Sequence, residues 1–449
     1  MGTDTVREQA ADEAAERRRE QRGWYVYDWA CSVYSTSVLT VFLGPYLTSV
    51  AKAAADADGF VHPLGIPLRA GSFFAYCVSA SVILSIFVMP LAGAAADRTG
   101  RKKPLLAVAA YLGAAATAGM FFLDGDRYLL GGLLLIVANA SLAVSMVLYN
   151  SYLPQIAPPE ERDAVSSRGW AFGYAAGSLV LVANLILYTA HDTFGVSETT
   201  AVRICLASAG IWWGAFTLVP LKRLRDRRTT SSSGTSAHGW RQLAATVRDL
   251  RRQPLTLAFL LAYLVYNDGI QTVISQASVY GSEELGLDQS TLIVAVLLVQ
   301  LLAVAGALGM GRLARTYGAK RTILGSLVAW TVTLGAGYFL PAGAPVWFFV
   351  LAAGIGLVLG GSQALSRSLF SHLVPPGKEA EYFSAYEMSD RGMSWLGPLL
   401  FGLTYQLTGS YRDAIISLVA FFVLGFVLLA RVPVRQAVRD AGNPIPDRI

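Results

Sequence analysis

Residues 93–104 read Gly93-Ala94-Ala95-Ala96-Asp97-Arg98-Thr99-Gly100-Arg101-Lys102-Lys103-Pro104, and they lie between two apolar runs that are each long enough to cross a membrane. Asp97 to Lys103 alone carries four cations and one carboxylate in seven residues. Charges at that density stay in water, because an ionisable group inside the hydrocarbon region is costly. The stretch therefore predicts a tight aqueous turn between two membrane helices.

A partial copy of the stretch occurs 218 residues further on, at Gly311-Arg312-Leu313-Ala314-Arg315-Thr316-Tyr317-Gly318-Ala319-Lys320-Arg321. The aligned pairs are Gly93 with Gly311, Gly100 with Gly318, Lys102 with Lys320, and Lys103 with Arg321. The loops 152–162 and 371–379 form a second pair, in which Pro158 and Pro375 differ by 217 residues. Two loops at nearly one offset indicate an internal repeat, with two halves of parallel topology.

The composition places most of the chain in lipid. Of 449 residues, 54% are hydrophobic and 15% charged, and the mean hydropathy is +0.47, which argues against an ordinary soluble enzyme. A membrane helix needs about 20 mostly apolar residues. Twelve runs satisfy this, near 26–50, 71–94, 104–123, 128–150, 168–190, 201–221, 256–280, 291–311, 321–340, 345–367, 384–406 and 412–431. We predict an all-α membrane protein with twelve transmembrane helices in two six-helix halves.

The distribution of cations decides the orientation. Of the 36 Lys and Arg residues, 30 fall on the side of the predicted membrane that holds the N-terminus. By the positive-inside rule this side is cytoplasmic, so we expect a multi-pass protein of the cell membrane with both termini in the cytosol. The excess of positive charge is thus explained by the membrane topology, and it does not predict nucleic-acid binding.

The predicted organisation has five parts. A cytosolic N-terminal tail covers 1–22, a six-helix bundle covers 23–221, and a second bundle covers 254–432. A cytosolic linker, 222–253, separates the bundles and is rich in Arg, Ser, Thr and Gly, which is a flexible composition. A cytosolic C-terminal tail covers 433–449.

The sequence offers little for enzyme chemistry. The three cysteines lie within apolar runs without metal-ligand spacing, so they predict packing roles and no metal site. Nucleotide loops of the Walker type, zinc-binding His pairs and nucleophile elbows are also absent from the sequence. We therefore expect no cofactor and no enzymatic activity. Any transport would use an ion gradient or the gradient of the solute itself.

Gly93, Asp97, Arg98, Gly100 and Arg101-Lys102 lie at the junction between the second and third predicted spans. In these residues the sequence resembles the major facilitator superfamily of transporters, whose loop signature between the second and third helices they fit. The first span contains Tyr27-Asp28-Trp29-Ala30, Tyr34-Ser35-Thr36 and Phe42-Leu43-Gly44-Pro45-Tyr46. In these residues it is similar, within the superfamily, to the branch of autophagy-related vacuolar amino-acid effluxers and their bacterial relatives. The resemblance implies the export of neutral amino acids.

Polar residues inside the apolar runs are candidates for solute binding, because each needs a partner or a wet cavity there. Asp268 is nearest the middle of its span, and a helix-packing hydrogen bond is the alternative to a functional role. For Asp28 two roles stay open, which are contact with a solute ammonium group and packing at the inner gate of the transporter. The candidate substrate-binding residues are Asp28, Tyr34, Asn139, Asn150, Asn267, Asp268, Gln271 and Gln363.

The densest charge cluster lies in the eleventh span. Glu387, Asp390, Arg391 and Ser394 occupy positions i, i+3, i+4 and i+7, so they share one helix face. Such a cluster fits proton coupling. It equally fits a structural network with Arg168 or Arg367 that holds the cytosolic side shut. The candidate residues for proton coupling or gating are Asp97, Arg98, Arg101, Arg168, Arg367, Glu387, Asp390 and Arg391.

For Asp97 we predict a latch that gains and loses a partner as the protein changes state. A helix N-terminus, Arg312 or Arg315 are the candidate partners. The whole sequence predicts a secondary active transporter that moves a small polar metabolite by alternating access, with neutral amino acids as the first candidate and export as the direction. Its partners would be this small molecule, membrane lipids and protons, and it would act as a monomer. A carrier of amphiphilic compounds and a membrane sensor without transport activity are the alternatives.

Overall fold

A computed structural model describes residues 2–227, 248–391 and 396–448 of the chain. Most of the predicted linker, residues 228–247, lies outside this described part. By its internal contacts the chain separates into two compact units. The first unit comprises Met1–Tyr149 and Ala175–Arg228, and the second comprises Asn150–Tyr174 and Thr229–Ile449. The segment Asn150–Tyr174 comes from the first half of the sequence but belongs to the second unit.

The first unit is built from long helices and one short hairpin. Its first span runs without interruption from α1 through a π-helical segment, Tyr34–Phe42, into α2. Its helices are α1 (Gly2–Val33), α2 (Leu43–Ala53), α3 (Phe73–Thr99), α4 (Lys102–Gly119), most of α5 (Tyr128–Asn150), and α8 (Glu198–Arg223). The hairpin strands, β1 (Phe60–Val61) and β2 (Leu68–Arg69), pair antiparallel.

The second unit begins with the short helix α6 (Leu153–Ile156) and the first part of α7 (Arg162–Thr189), whose remainder lies in the first unit. The later helices are α9 (Pro254–Val279), α10 (Gln289–Tyr317), α11 (Ala319–Tyr338), α12 (Pro345–Ser371), α13 (Glu379–Arg391), α14 (Leu396–Thr408), α15 (Tyr411–Ser417), α16 (Val419–Arg431) and α17 (Val434–Asp440). A π-helical segment, Tyr280–Glu284, follows α9.

Within the described part, ten helices are long and apolar enough to cross a membrane. They match ten of the twelve predicted spans. The ninth predicted span corresponds to α11, which has 20 residues. The eleventh corresponds to α13 and α14, which flank residues 392–395 outside the described part.

Glycines allow the helices of the second unit to approach closely. A Cβ at Gly360 on α12 would lie 2.1 Å from the carbonyl oxygen of Ala303 on α10, and one at Gly306 would lie 2.2 Å from that of Leu357. Gly311, in the partial copy of the opening stretch, also allows a close approach, since a Cβ there would lie 2.5 Å from Oγ of Ser167 on α7. These contacts fix α12 and the start of α7 against α10.

Candidate functional site

The opening stretch comprises the end of α3, a turn at Gly100 and Arg101, and the start of α4, with Gly100 in the left-handed region at φ 62°. The Lys102 ammonium lies 3.3 Å from Oδ1 of Asp97, and the two side chains are 4% and 8% exposed. Arg98 and Arg101 are exposed. Lys102, a residue of the same motif, is thus a partner of Asp97 that was not among the predicted ones.

In the first unit, Asp28 is buried on α1 and accepts a hydrogen bond of 2.6 Å from the Tyr149 hydroxyl on α5. Trp24 donates to the Tyr149 carbonyl at 2.9 Å and stacks on its ring, which fixes this tyrosine. Asn139 donates to Ser81 at 2.6 Å, and Tyr34 is fully buried beside Trp213. The expected burial of Asp28 is therefore accompanied by a specific donor, which sequence spacing alone did not identify.

In the second unit, the first of two polar networks centres on Arg367, which is 1% exposed on α12. Its Nε donates to Oγ of Ser166 at 2.9 Å, and its Nη2 donates to the carbonyl oxygen of Ser166 at 2.8 Å. Its Nη1 donates to Oδ1 of Asn150 at 3.3 Å, and its guanidinium lies 5.3 Å from the centre of the Trp170 ring. Asn150 in turn donates to Oε1 of Glu387 at 2.7 Å. Arg367 and Glu387, which were linked in one alternative prediction, are joined here through Asn150, which was predicted separately as a substrate-binding residue.

For three other predicted members of this cluster, the described residues show no contact with it. Arg168 lies on α7 close to Ser166 and Trp170 in sequence, but its side chain is exposed. The side chain of Arg391 and the whole of Ser394 lie outside the described residues. Ser166 belongs to the cluster but was not predicted, because a serine on an apolar helix carries no sequence signal of its own.

The second network joins α9, α12 and α13. Asn267 donates to Oδ1 of Asp390 at 2.7 Å and accepts from the Gln363 amide at 2.7 Å. The Tyr263 hydroxyl donates to Oδ1 of Asp390 at 3.0 Å. Tyr263 and Asn267 are one helical turn apart on α9, and this spacing is the signal that could have linked Tyr263 to the site.

Asp268 follows Asn267 on α9 and is 2% exposed. Its Oδ2 accepts a hydrogen bond of 2.8 Å from the backbone N–H of Gly397 at the start of α14. Its Oδ1 is buried without a hydrogen-bond partner among the described residues. Gln271, which was also predicted, is half-buried on the same helix. One oxygen of Asp268 is therefore fixed, and the other can take up a proton or accept from a bound cation.

These side chains combine hydrogen-bonded carboxylates with buried amide and guanidinium donors inside helices that cross a membrane. The arrangement can bind and release protons or small charged groups. A family model described as "Vacuole effluxer Atg22 like" matches residues 16–442 of the chain. The chain belongs to this Atg22-like family. The predicted resemblance is thereby confirmed.

The Atg22-like chain is similar over almost its whole length to two named relatives. The uncharacterized MFS-type transporter YxiO of Bacillus subtilis is 30% identical over 419 residues, which cover 92% of this chain and 95% of YxiO. Autophagy-related protein 22-1 of Aspergillus niger is 25% identical over 556 aligned positions, covering 94% of this chain and 90% of that protein.

Solved structures support the fold of the Atg22-like chain. The E. coli fucose:proton symporter FucP matches with a TM-score of 0.69 at 13% identity, covering 92% of this chain and 97% of that chain. A bacterial homologue of the iron transporter ferroportin matches with a TM-score of 0.65 at 16% identity, covering 93% and 98%. The predicted twelve-helix major facilitator fold is confirmed, and the protein is a multi-pass membrane transporter rather than an enzyme.

Proposed function

We propose that this transporter exports neutral amino acids across the cell membrane, with transport coupled to protons and both termini in the cytosol. The description of its family as vacuole effluxers supports export. The placement of 30 of the 36 Lys and Arg residues supports the orientation. The protein acts as a monomer in which two six-helix bundles, 23–221 and 254–432, alternate in access around the solute.

The proposal rests on one observation, which is that only one oxygen of the buried Asp268 carboxyl group has a hydrogen-bond partner among the described residues. A carboxylate buried in a membrane helix is costly unless it is protonated or paired. The Gly397 N–H satisfies one oxygen at 2.8 Å, and the other has no partner among the described residues. A proton on the free oxygen, or the ammonium group of an amino acid beside it, would neutralise this acid. Exchange between these two occupants couples the solute to the proton.

The remaining polar residues divide into three roles in this proposal. Asn267, Gln271 and Gln363 of the second unit contribute hydrogen bonds to a solute at Asp268, and for Asp28, Tyr34 and Asn139 of the first unit solute binding stays the prediction from sequence. Asn150, Arg367 and Glu387 act in gating, because a buried network of this kind stabilises the state in which it is formed. Asp97 with Lys102 acts as the latch, so that its separation accompanies the change of state.

A thermal-shift screen of the purified protein tests the class of cargo. A ligand at 100 times its dissociation constant stabilises the folded state by about 2.7 kcal/mol, which gives a measurable rise in melting temperature. The screen compares neutral amino acids with sugars, nucleosides, phosphoesters and long-chain amphiphiles. We expect the largest rise with a neutral amino acid, followed by counterflow of the same compound in proteoliposomes. A rise with another class alone would replace the proposed cargo.

A further inference from the structure

The loop between α12 and α13 is held by side chains from three separate parts of the chain. Each backbone carbonyl from Ser371 to Val374 accepts a side-chain hydrogen bond. The bonds are Arg162 Nη1 to Ser371 at 2.8 Å, Asn443 Nδ2 to His372 at 2.9 Å, Thr256 Oγ1 to Leu373 at 3.4 Å, and Asn443 Nδ2 to Val374 at 2.7 Å. Carbonyls at a helix end need such partners when water does not reach them.

The internal repeat gives these carbonyls counterparts in the first half of the chain. At the offset of 217 residues, Ser371 corresponds to Pro154 and Val374 corresponds to Ala157. The carbonyls of Pro154 and Ala157 both accept from Arg162, through Nη2 at 3.3 Å and Nε at 3.2 Å. The same two positions of both loops are therefore hydrogen-bonded.

The second loop has no arginine of its own for this purpose. The counterpart of Arg162 at the same offset is Glu379, whose carboxylate accepts from the Gly377 N–H at 3.0 Å. An ionised carboxylate cannot donate to carbonyl groups. The donors must come from elsewhere, and they come from Arg162 itself and from Asn443.

The C-terminal segment places Asn443 at the loop. Helix α17 buries Val434, Ala437 and Val438, which are 3%, 1% and 0% exposed. Gly442 follows with φ 77°, and the Asn443 N–H then bonds back to the Val438 carbonyl at 3.1 Å. This glycine-dependent helix ending turns the chain so that the Asn443 amide faces the loop.

We propose that Asn443 is a positioning residue that performs, in the second repeat, the role that Arg162 performs in the first. It fixes the loop so that α12, which carries Arg367, and α13, which carries Glu387, move as one body. The hydrogen bonds that join Asn150 to Arg367 and Glu387 then form and break together when the protein changes state. The inference goes beyond the proposed cargo, since it requires only that the protein changes state during transport.

The variant Asn443→Asp keeps the shape of the side chain but presents oxygens to both carbonyls. Its matched control is Gln436→Glu, which makes the same exchange of amide for carboxylate at an exposed position of α17. Both are made in the full-length protein and reconstituted in lipid nanodiscs and in proteoliposomes. Asn443→Gln, which retains the N–H donors, serves as the conservative variant.

The first measurement is hydrogen exchange of the loop amides in nanodiscs without added solute. We expect exchange around Leu373 to quicken about tenfold in Asn443→Asp, corresponding to two lost hydrogen bonds, and to stay unchanged in Gln436→Glu. Unchanged exchange in Asn443→Asp would overturn the proposal. This result does not depend on which solute is transported.

The second measurement is the concentration dependence of transport, with radiolabelled neutral amino acids as the probes. We expect Vmax to fall at least about fivefold in Asn443→Asp with KM within about twofold of the unsubstituted protein, and Asn443→Gln to recover part of the rate. A rise in KM at constant Vmax would contradict a positioning role. Absence of amino-acid transport in the unsubstituted protein would contradict the proposed cargo instead, and hydrogen exchange would then decide the role of Asn443.

Discussion

Asn150 donates an amide hydrogen to Glu387 over 2.7 Å, although 237 residues separate the two in the chain. The oxygen of the same amide accepts from Arg367 at 3.3 Å. One neutral side chain thus lies between a guanidinium and a carboxylate, and its orientation is fixed because its two ends are chemically different. This relationship makes the protonation state of the cluster testable.

Asn150→Asp should make transport sensitive to pH in a defined direction. The substitution places a second carboxylate against Glu387, and two acceptors cannot share the hydrogen bond unless one is protonated. We expect transport to be slowed at pH 8 and to recover partly at pH 5. The measurement is the initial rate of counterflow across this range. An equal loss at every pH would contradict the shared-proton explanation.

Arg367→Lys should destabilise the protein even though it keeps the positive charge. Arg367 donates to Ser166 through Nε and Nη2 at once and lies over Trp170, and a lysine ammonium cannot reproduce that fork. We expect a loss of about 2 kcal/mol, measured by thermal unfolding in detergent. Arg168→Lys, on the exposed side of the same region, is the control and should leave the melting temperature unchanged.

Gly306→Ala tests the close approach of α10 and α12. The added Cβ would lie 2.2 Å from the Leu357 carbonyl oxygen, and backbone atoms cannot move aside as a side chain can. We expect a destabilisation of about 1–3 kcal/mol. Gly309→Ala lies one turn away on the same helix and faces open space, so it should be tolerated. Equal melting temperatures for the two variants would disprove the contact.

The spacing of residues was enough to predict part of this architecture. The offset between Pro158 and Pro375 indicated two equivalent loops, and the helical spacing in the eleventh span placed Glu387 and Asp390 on one face. Most hydrogen-bond partners on other helices could not be predicted from spacing. Asn443 illustrates the limit, because its role depends on how the C-terminal segment folds back and no local pattern connects it with His372. Lys102 shows a second limit, since several cations of the opening stretch were equally placed to pair with Asp97.

His372 should make stability depend on pH below neutrality. Its side chain is 2% exposed, and burial together with the neighbouring Arg162 holds the pKa of His372 well below its usual value of 6.5. Arg162 on α7 contacts its Nδ1 at 3.4 Å. The folded state therefore keeps the ring neutral, whereas the unfolded chain takes up a proton as the pH falls below 6.5.

The expected consequence is a loss of stability of up to about 1.4 kcal/mol per pH unit below that point, and no contribution above it. The measurement is the melting temperature at pH 7.5 and pH 5.5. In His372→Gln this part of the pH dependence should disappear, whereas His191→Gln, at a partly exposed position, should retain it. An identical pH dependence in both variants would rule out His372 as the source.

Asp268 provides the most direct test of the proposed coupling. Asp268→Asn retains an oxygen that can accept from the Gly397 N–H, so the contact at 2.8 Å can persist while the ionisable group is removed. The measurement follows the internal pH of proteoliposomes with a trapped dye while an amino-acid gradient drives net transport of the amino acid. We expect the unsubstituted protein to move protons in the direction opposite to the amino acid, and Asp268→Asn to bind the amino acid without moving protons. Proton movement that persists unchanged in Asp268→Asn would contradict the account.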